Sequence, residues 1–169
     1  MKKAVMIIAQ KLFREEELFE PKEILENSGI EVQVASPTLG LAWGVGGKTF
    51  KPQLLIKDIK AADFDAIIFV GGRGAIQFWD DPLVHKLVKD GYDSGKIIAA
   101  ICVAPVILAK AGILKGKRAT VWASDSGQLL VAGAKYTGAN VEKDGKIITA
   151  AGPFAAREFG EELVKAILY

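Results

Sequence analysis

Four runs of apolar residues with little alternation, Ala4–Ala9, Glu31–Ala35, Asp65–Val70 and Lys96–Ile101, constrain this chain more than any other feature. A strand with one face in water alternates apolar and polar residues. Continuous apolar character instead marks strands covered on both faces, the habit of parallel sheets packed between helices. Pro21–Ser28, between the first two runs, has helical character and ends at Gly29, a natural C-cap glycine. The opening therefore reads as β-α-β. The fold expected is α/β, a mainly parallel sheet flanked by helices on both faces.

The rest of the chain fits around that sheet. Gly46-Gly47 divides Trp43–Ile56 into two runs of mixed polarity, which predicts a small hairpin laid at the sheet edge. Asp80-Asp81-Pro82 opens a helix over Pro82–Asp90, and Ala104–Ala111 reads as a helix closed by Gly112. Thr120–Trp122, Lys135–Thr137, Val141–Lys143 and Lys146–Thr149 are short strand candidates, the last two joined by a hairpin turn at Asp144-Gly145. Pro153–Leu168 repeats apolar residues at Phe159, Leu163 and Ile167, so one face of a final helix should pack on the sheet. At 169 residues, half of them apolar, the chain supports one sizeable core, and residues 1–169 are read as a single domain.

Composition removes several classes of function. The 22 basic residues nearly balance 20 acidic ones, and neither sign forms a block of the kind that binds phosphate backbones, so no nucleic-acid partner is expected. Met1–Ala9 superficially resembles a signal peptide, but Gln10-Lys11 interrupts it and no small-residue cleavage site follows. It reads better as the first buried strand. No run reaches the roughly 18 apolar residues of a membrane span. One cysteine cannot form an internal disulfide, which fits a reducing compartment, and a cytoplasmic protein is expected. One cysteine and one histidine cannot assemble the usual zinc ligand set, so no metal site is expected.

That single cysteine, Cys102, falls where the apolar run Ile97–Ile101 gives way to a helix. Ala100 and Ala104 occupy the places that glycines hold in a small-x-nucleophile-x-small elbow. At the start of the following helix the thiolate would gain from the helix dipole and free backbone N–H groups, so a lowered thiol pKa is expected. Ligands of open parallel sheets bind at the carboxyl ends of the strands. The turns carrying Lys11–Glu17, Gly71-Gly72-Arg73-Gly74 and Cys102-Val103 should therefore converge at one rim. Backbone N–H groups of Gly72 and Val103 could form an oxyanion hole beside the sulfur. The glycine turn lacks the spacing of a dinucleotide fingerprint, and no nucleotide cofactor is expected. Among the acidic cluster, Glu17 is the residue expected to stay protonated beside the thiol. Glu15 and Glu16 read as a solvated face that complements a helix start. Phe13, Phe78, Trp79, Trp122 and Phe154 are candidates for the pocket rim or a subunit interface.

At Glu17-Leu18-Phe19-Glu20-Pro21, Gly71-Gly72, Ala99–Pro105 and Asp144–Pro153 the chain resembles the ThiJ/PfpI family, in matching order over essentially its whole length. The resemblance implies a flavodoxin-like three-layer sandwich, similar to class I glutamine amidotransferases. It implies Cys102 as nucleophile, Glu17 as its protonated partner, Gly72 and Val103 as oxyanion donors, no cofactor, and a homodimer or higher homo-oligomer. Two departures accompany it. The family's protease branch places a histidine directly after the cysteine, where this chain has Val103, and its deglycase branch has one where this chain has Trp122. The only histidine, His85, reads as a residue on the surface of the Pro82–Asp90 helix.

The expected function is a cofactor-independent cysteine enzyme acting on reactive carbonyls, of glyoxalase or protein-deglycase type, with a small aldehyde or a glycated adduct as substrate. The first alternative is a redox-sensing stress-response protein whose Cys102 oxidises to a sulfinate held by Glu17. The same fold with the activity lost is a second. An intracellular peptidase is a third, weakened because no histidine stands ready as general base.

Overall fold

The computed structural model describes residues Met1–Tyr169. In chain order, the first half contains β1 (Lys3–Ile7), β2 (Lys11–Phe13), α1 (Glu15–Asn27), β3 (Glu31–Ser36), β4 (Ala42–Gly44), β5 (Thr49–Phe50), β6 (Leu54–Leu55) and β7 (Ala66–Phe69). There follow α2 (Pro82–Asp93), β8 (Ile97–Ile101), α3 (Pro105–Lys110), β9 (Arg118–Ala119), α4 (Ser126–Val131) and β10 (Lys135–Tyr136). The chain closes with β11 (Val141–Asp144), β12 (Ile147–Ala150) and α5 (Ala156–Leu168). Seven strands form one sheet in the order β11-β12-β8-β7-β1-β3-β6, parallel throughout except for the β11–β12 hairpin.

The four apolar runs are the four central strands, and they are unbroken because both of their faces are covered. Val5, Ile7, Ile67, Phe69, Ile98 and Ala100 face one core with Val84 and Val88 of α2 and Val106 and Ile107 of α3. Ala4, Met6, Ile68, Ala99 and Ile101 face the other, with Leu18 and Leu25 of α1 and Phe159, Leu163 and Ile167 of α5. Successive side chains of a strand point to opposite faces, so a two-sided core demands an apolar residue at every position. The result is the three-layer α/β sandwich expected. No helix is long and apolar enough to cross a membrane.

Three elements differ from expectation. Helix α1 begins at Glu15 rather than at Pro21, which lies inside it. Proline favours the first helical turn, and it hid the six helical residues before it. Here the missing N–H leaves the Glu17 carbonyl without its ordinary helical partner, and the helix tolerates this because α5 packs closely on it at Gly160. The hairpin β4–β5 does form, but it pairs with β2 in a separate three-stranded sheet, and only Leu54-Leu55 joins the main-sheet edge beside β3. Lys11–Phe13 is therefore a strand in what reads as a turn. Thr120–Trp122 is not a strand, because the Thr120 N–H donates to the Thr149 side chain at 2.9 Å and the Trp122 N–H to the Cys102 carbonyl at 2.8 Å. The short strand lies just before it, at β9.

Candidate active site

Cys102 follows the last residue of β8 and adopts φ +67°, the left-handed region that few side chains enter. Its N–H donates to the Ala150 carbonyl at 2.9 Å, which ties the turn to β12. Such a conformation is a sharp strand-to-helix elbow, and it lifts the side chain off the sheet end toward α1. Only one other non-glycine residue has positive φ, Leu12 at +65°, whose carbonyl lies against Gly72. Cys102 is buried, with 8% of its surface exposed.

Glu17, on the first turns of α1, is wholly buried, and neither carboxyl oxygen has a well-formed hydrogen bond. The polar groups within its reach are the Cys102 thiol and the Gly71 N–H. Gly71 stands between the two side chains: a Cβ there would collide with Glu17 Oε1 and with Cys102 Cβ. Gly72 has φ +96°, and a Cβ would run into the Leu12 carbonyl and the Arg14 N–H. Two successive glycines thus let the end of β7 slide between α1 and the elbow. The N–H groups of Gly72 and Val103 both point their favourable influence at the sulfur.

The electrostatics overturn one expectation. Burial pushes the Cys102 thiol up to about 12, and the neighbouring Glu17 carboxylate adds repulsion; the Gly72 and Val103 N–H groups work in the opposite direction without prevailing. The dipole contribution is small because α3 spans only six residues and starts three residues later. Burial also pushes Glu17 up to about 8 against the pull of the Cys102 hydrogen bond and of Arg14. At neutral pH both groups hold their protons. Two buried groups in contact cannot both ionise cheaply, so the first proton to leave belongs to the pair and the charge can rest on either.

A cavity of about 380 Å³ opens onto the sulfur, lined by Gly72, Cys102 and Val103 at its floor and by Arg14, Val45, Arg73, Trp122 and Pro153 around it. The expected site residues Cys102, Glu17, Gly72 and Val103 are thus brought together, Glu17 beneath the floor rather than in the wall. Of the aromatic candidates, Trp122 lines the cavity and Phe154 flanks it, both rings closing over Gly152. Phe13 and Phe78 are core residues. Trp79 is half-buried, and its indole N–H donates to the Val103 carbonyl at 3.0 Å.

Two readings of charged residues need correction. Glu15 is buried rather than solvated, because its carboxylate accepts the N–H groups of Gly46 at 2.7 Å and Lys48 at 3.2 Å. It clasps the β4–β5 turn that delivers Val45 to the cavity. His85 is half-buried, with Nε2 lying 2.6 Å from the Trp79 carbonyl. A carbonyl only accepts, so Nε2 carries the proton, and the ring braces Trp79 without reaching the sulfur. Arg14, Val45, Arg73 and Pro153 had no signal of their own in the sequence. Arg14 is hidden in a run of charges and Arg73 in a glycine turn.

The chain is similar to several proteins over nearly its whole length. An uncharacterized protein of Methanocaldococcus jannaschii is 44% identical over 168 residues, covering 98% of this chain and 82% of that one. A deglycase of Pyrococcus abyssi is 30% identical over 163 residues, covering 96% and 98% of the two chains. A glutathione-independent glyoxalase of Caenorhabditis elegans is 29% identical over 166 residues, covering 98% and 89%. Among solved structures, a ThiJ/PfpI domain protein from Brachyspira murdochii superposes with a TM-score of 0.95 at 34% identity, covering 97% of this chain and 95% of that one. The family model of the DJ-1/PfpI family matches residues 2–166, and the chain belongs to that family.

Proposed function

We propose that this protein is a cofactor-independent cysteine enzyme that converts reactive carbonyl compounds, in the manner of a glyoxalase or a protein deglycase. The observation that carries the reading is the buried Glu17 carboxyl, pushed up to about 8 and facing no polar side chain but Cys102. A carboxyl desolvated in this way is poised to hand a proton back and forth at neutral pH. The names of the deglycase and glyoxalase relatives support the same class.

For an α-oxoaldehyde the steps balance without a redox cofactor. The sulfur of Cys102 bonds to the aldehyde carbon, the carbonyl electron pair moves onto oxygen, and the thiol proton ends on that oxygen as a hemithioacetal forms. The N–H groups of Gly72 and Val103 stabilise the developing oxyanion, each worth about 3 kcal/mol in comparable sites. The protonated Glu17 carboxyl works through both oxygens: one gives its proton to the neighbouring carbonyl oxygen while the other takes the proton from the former aldehyde carbon, forming an enediol. The carboxyl then delivers that proton to the neighbouring carbon as the hemithioacetal hydroxyl returns its own to the carboxylate. The first carbon is oxidised to a thioester and the second reduced to an alcohol. Water cleaves the thioester, releasing a 2-hydroxy acid and the free thiol. The substrate proposed is a small aldehyde or an early glycation adduct.

The oxidised-cysteine reading uses the same pocket, with a sulfinate in place of the oxyanion; a thiol raised to about 12 draws on the same small thiolate fraction in either reaction, and the deglycase and glyoxalase relatives favour the carbonyl reading. A peptidase lacks its base, since His85 serves Trp79. We further propose a homo-oligomer; exposed Leu12 and Trp43 on the small sheet and Leu41 beside it support that reading.

Conversion of methylglyoxal to lactate, followed by proton NMR, tests the proposal. Turnover is expected in the wild type and should be lost in Cys102→Ser and in Glu17→Gln. Wild-type rates in either variant overturn the assignment.

A further inference from the structure

The cavity above Cys102 is not symmetric in charge. Arg14, from the turn between β2 and α1, and Arg73, from the turn after β7, both line it, while Val45, Trp122 and Pro153 supply apolar wall. The Arg14 Nε is held by the Glu16 carboxylate, leaving its two terminal amino groups unengaged by that partner. Arg73 is exposed and makes no ion pair with any carboxylate of the chain. With Glu17 and Cys102 both protonated at neutral pH, the cavity and its immediate shell hold two guanidinium groups against one carboxylate. A guanidinium over a substrate pocket with no protein partner is the arrangement that recognises carboxylates and phosphates.

Resting on the carbonyl-enzyme reading, we propose that the preferred substrates are α-oxoaldehydes whose tail ends in an anion, a carboxylate or a phosphate, with Arg73 and the free edge of Arg14 as the anion subsite. The reacting carbonyls sit over Cys102 between the Gly72 and Val103 N–H groups, and the charged tail turns to the arginine side. The apolar wall of Trp122 and Pro153 leaves the opposite side without a partner for charge. A cavity of about 380 Å³ is near the small end of ligand sites, which suits a compact metabolite rather than a folded protein chain. Glu16 competes for Arg14, so Arg73 carries most of the selectivity.

Two measurements separate this inference from the activity on which it rests. The first needs no turnover: the rates at which Cys102 is alkylated at pH 7, where Glu17 keeps its proton, by iodoacetate, an anion, and by iodoacetamide, its neutral counterpart. In the folded protein the iodoacetate-to-iodoacetamide ratio should exceed that of the same chain unfolded in urea by roughly tenfold at low salt, and fall as salt is added. Arg73→Gln should return the ratio close to the unfolded value, and Arg73→Lys should keep part of it. Equal ratios in folded and unfolded wild type, or a ratio indifferent to Arg73→Gln, overturn the anion subsite.

The second compares kcat/KM for 4,5-dioxopentanoate, 3-phosphooxy-2-oxopropanal and methylglyoxal. The anionic compounds should lead by roughly tenfold through KM, and Arg73→Gln should collapse that lead. Whichever anionic compound is favoured identifies the carboxylate or the phosphate as the tail. Turnover of methylglyoxal with no advantage for either anion overturns the subsite while the enzyme reading stands. An alkylation preference without turnover of any α-oxoaldehyde overturns the enzyme reading and leaves the subsite standing.

Discussion

Glu17 and Cys102 face each other across Gly71, and the space between them holds a backbone but no side chain. That closeness makes them one titrating unit. Glu17 is raised to about 8 by burial, and Cys102 to about 12 by burial and then by the Glu17 carboxylate. Cys102 alkylation by iodoacetamide should therefore rise about tenfold per pH unit below about 8 and flatten above it. In Glu17→Gln the flattening near 8 should vanish, and reactivity should keep rising about tenfold per pH unit to beyond the ordinary thiol value of 9.0, because burial of the sulfur remains. An unchanged profile in the variant would sever the pair.

The same shift sets a stability dependence. Glu17 holds its proton in the folded chain up to about 8 but releases it near 4.5 when unfolded. Between those values the unfolded state binds fewer protons, so stability falls as pH rises, at about 1.4 kcal/mol per pH unit. Glu17→Gln has no proton to lose. Its melting temperature relative to wild type should climb between pH 4.5 and 8, and a constant difference across that window would refute the linkage.

Gly71→Ala places a methyl group into both the Glu17 carboxyl and the Cys102 side chain. Overpacking of this kind costs about 1–3 kcal/mol. The variant should unfold at lower denaturant concentration and lose most of its carbonyl turnover. Full activity would mean that the Glu17–Cys102 spacing is not critical.

Trp79→Phe removes the donor to the Val103 carbonyl while keeping an aromatic ring. The lost hydrogen bond is worth about 1 kcal/mol of stability. If Trp79 holds the elbow so that the Val103 N–H faces the oxyanion, kcat should drop several-fold with KM little changed. A drop in stability alone, with kcat intact, would reduce Trp79 to a packing residue.

Glu15→Ala frees the Gly46 and Lys48 N–H groups from their carboxylate and opens space beneath the β4–β5 turn. Residues 44–48 should become sensitive to limited proteolysis, and KM should rise as Val45 leaves the cavity wall. Protease resistance equal to wild type would count against the clasp.

The layer order of the fold was legible in the chain because four central strands covered on both faces must be apolar at nearly every position, and Gly29, Gly112 and Pro82 punctuate the helices between them. Cys102 was legible for a related reason: small residues two positions either side of a lone cysteine, at a strand-to-helix junction, suit a left-handed elbow. What lay outside the reach of sequence reasoning was whatever depended on a neighbour distant along the chain. The start of α1 was masked by Pro21, which local propensity places at a helix's first turn. The role of Glu15 depends on a hairpin some thirty residues away. The ionisation of Cys102 followed the same rule, since a helix start argues for a lowered pKa whereas three layers of packing withhold the water a thiolate needs. Local pattern determined the strands, the elbow and the glycine pair that admits it. Tertiary packing decided that Cys102 also keeps its proton and that the Arg14 and Arg73 side chains line the cavity at that rim, because desolvation and side-chain placement exist only once the layers close.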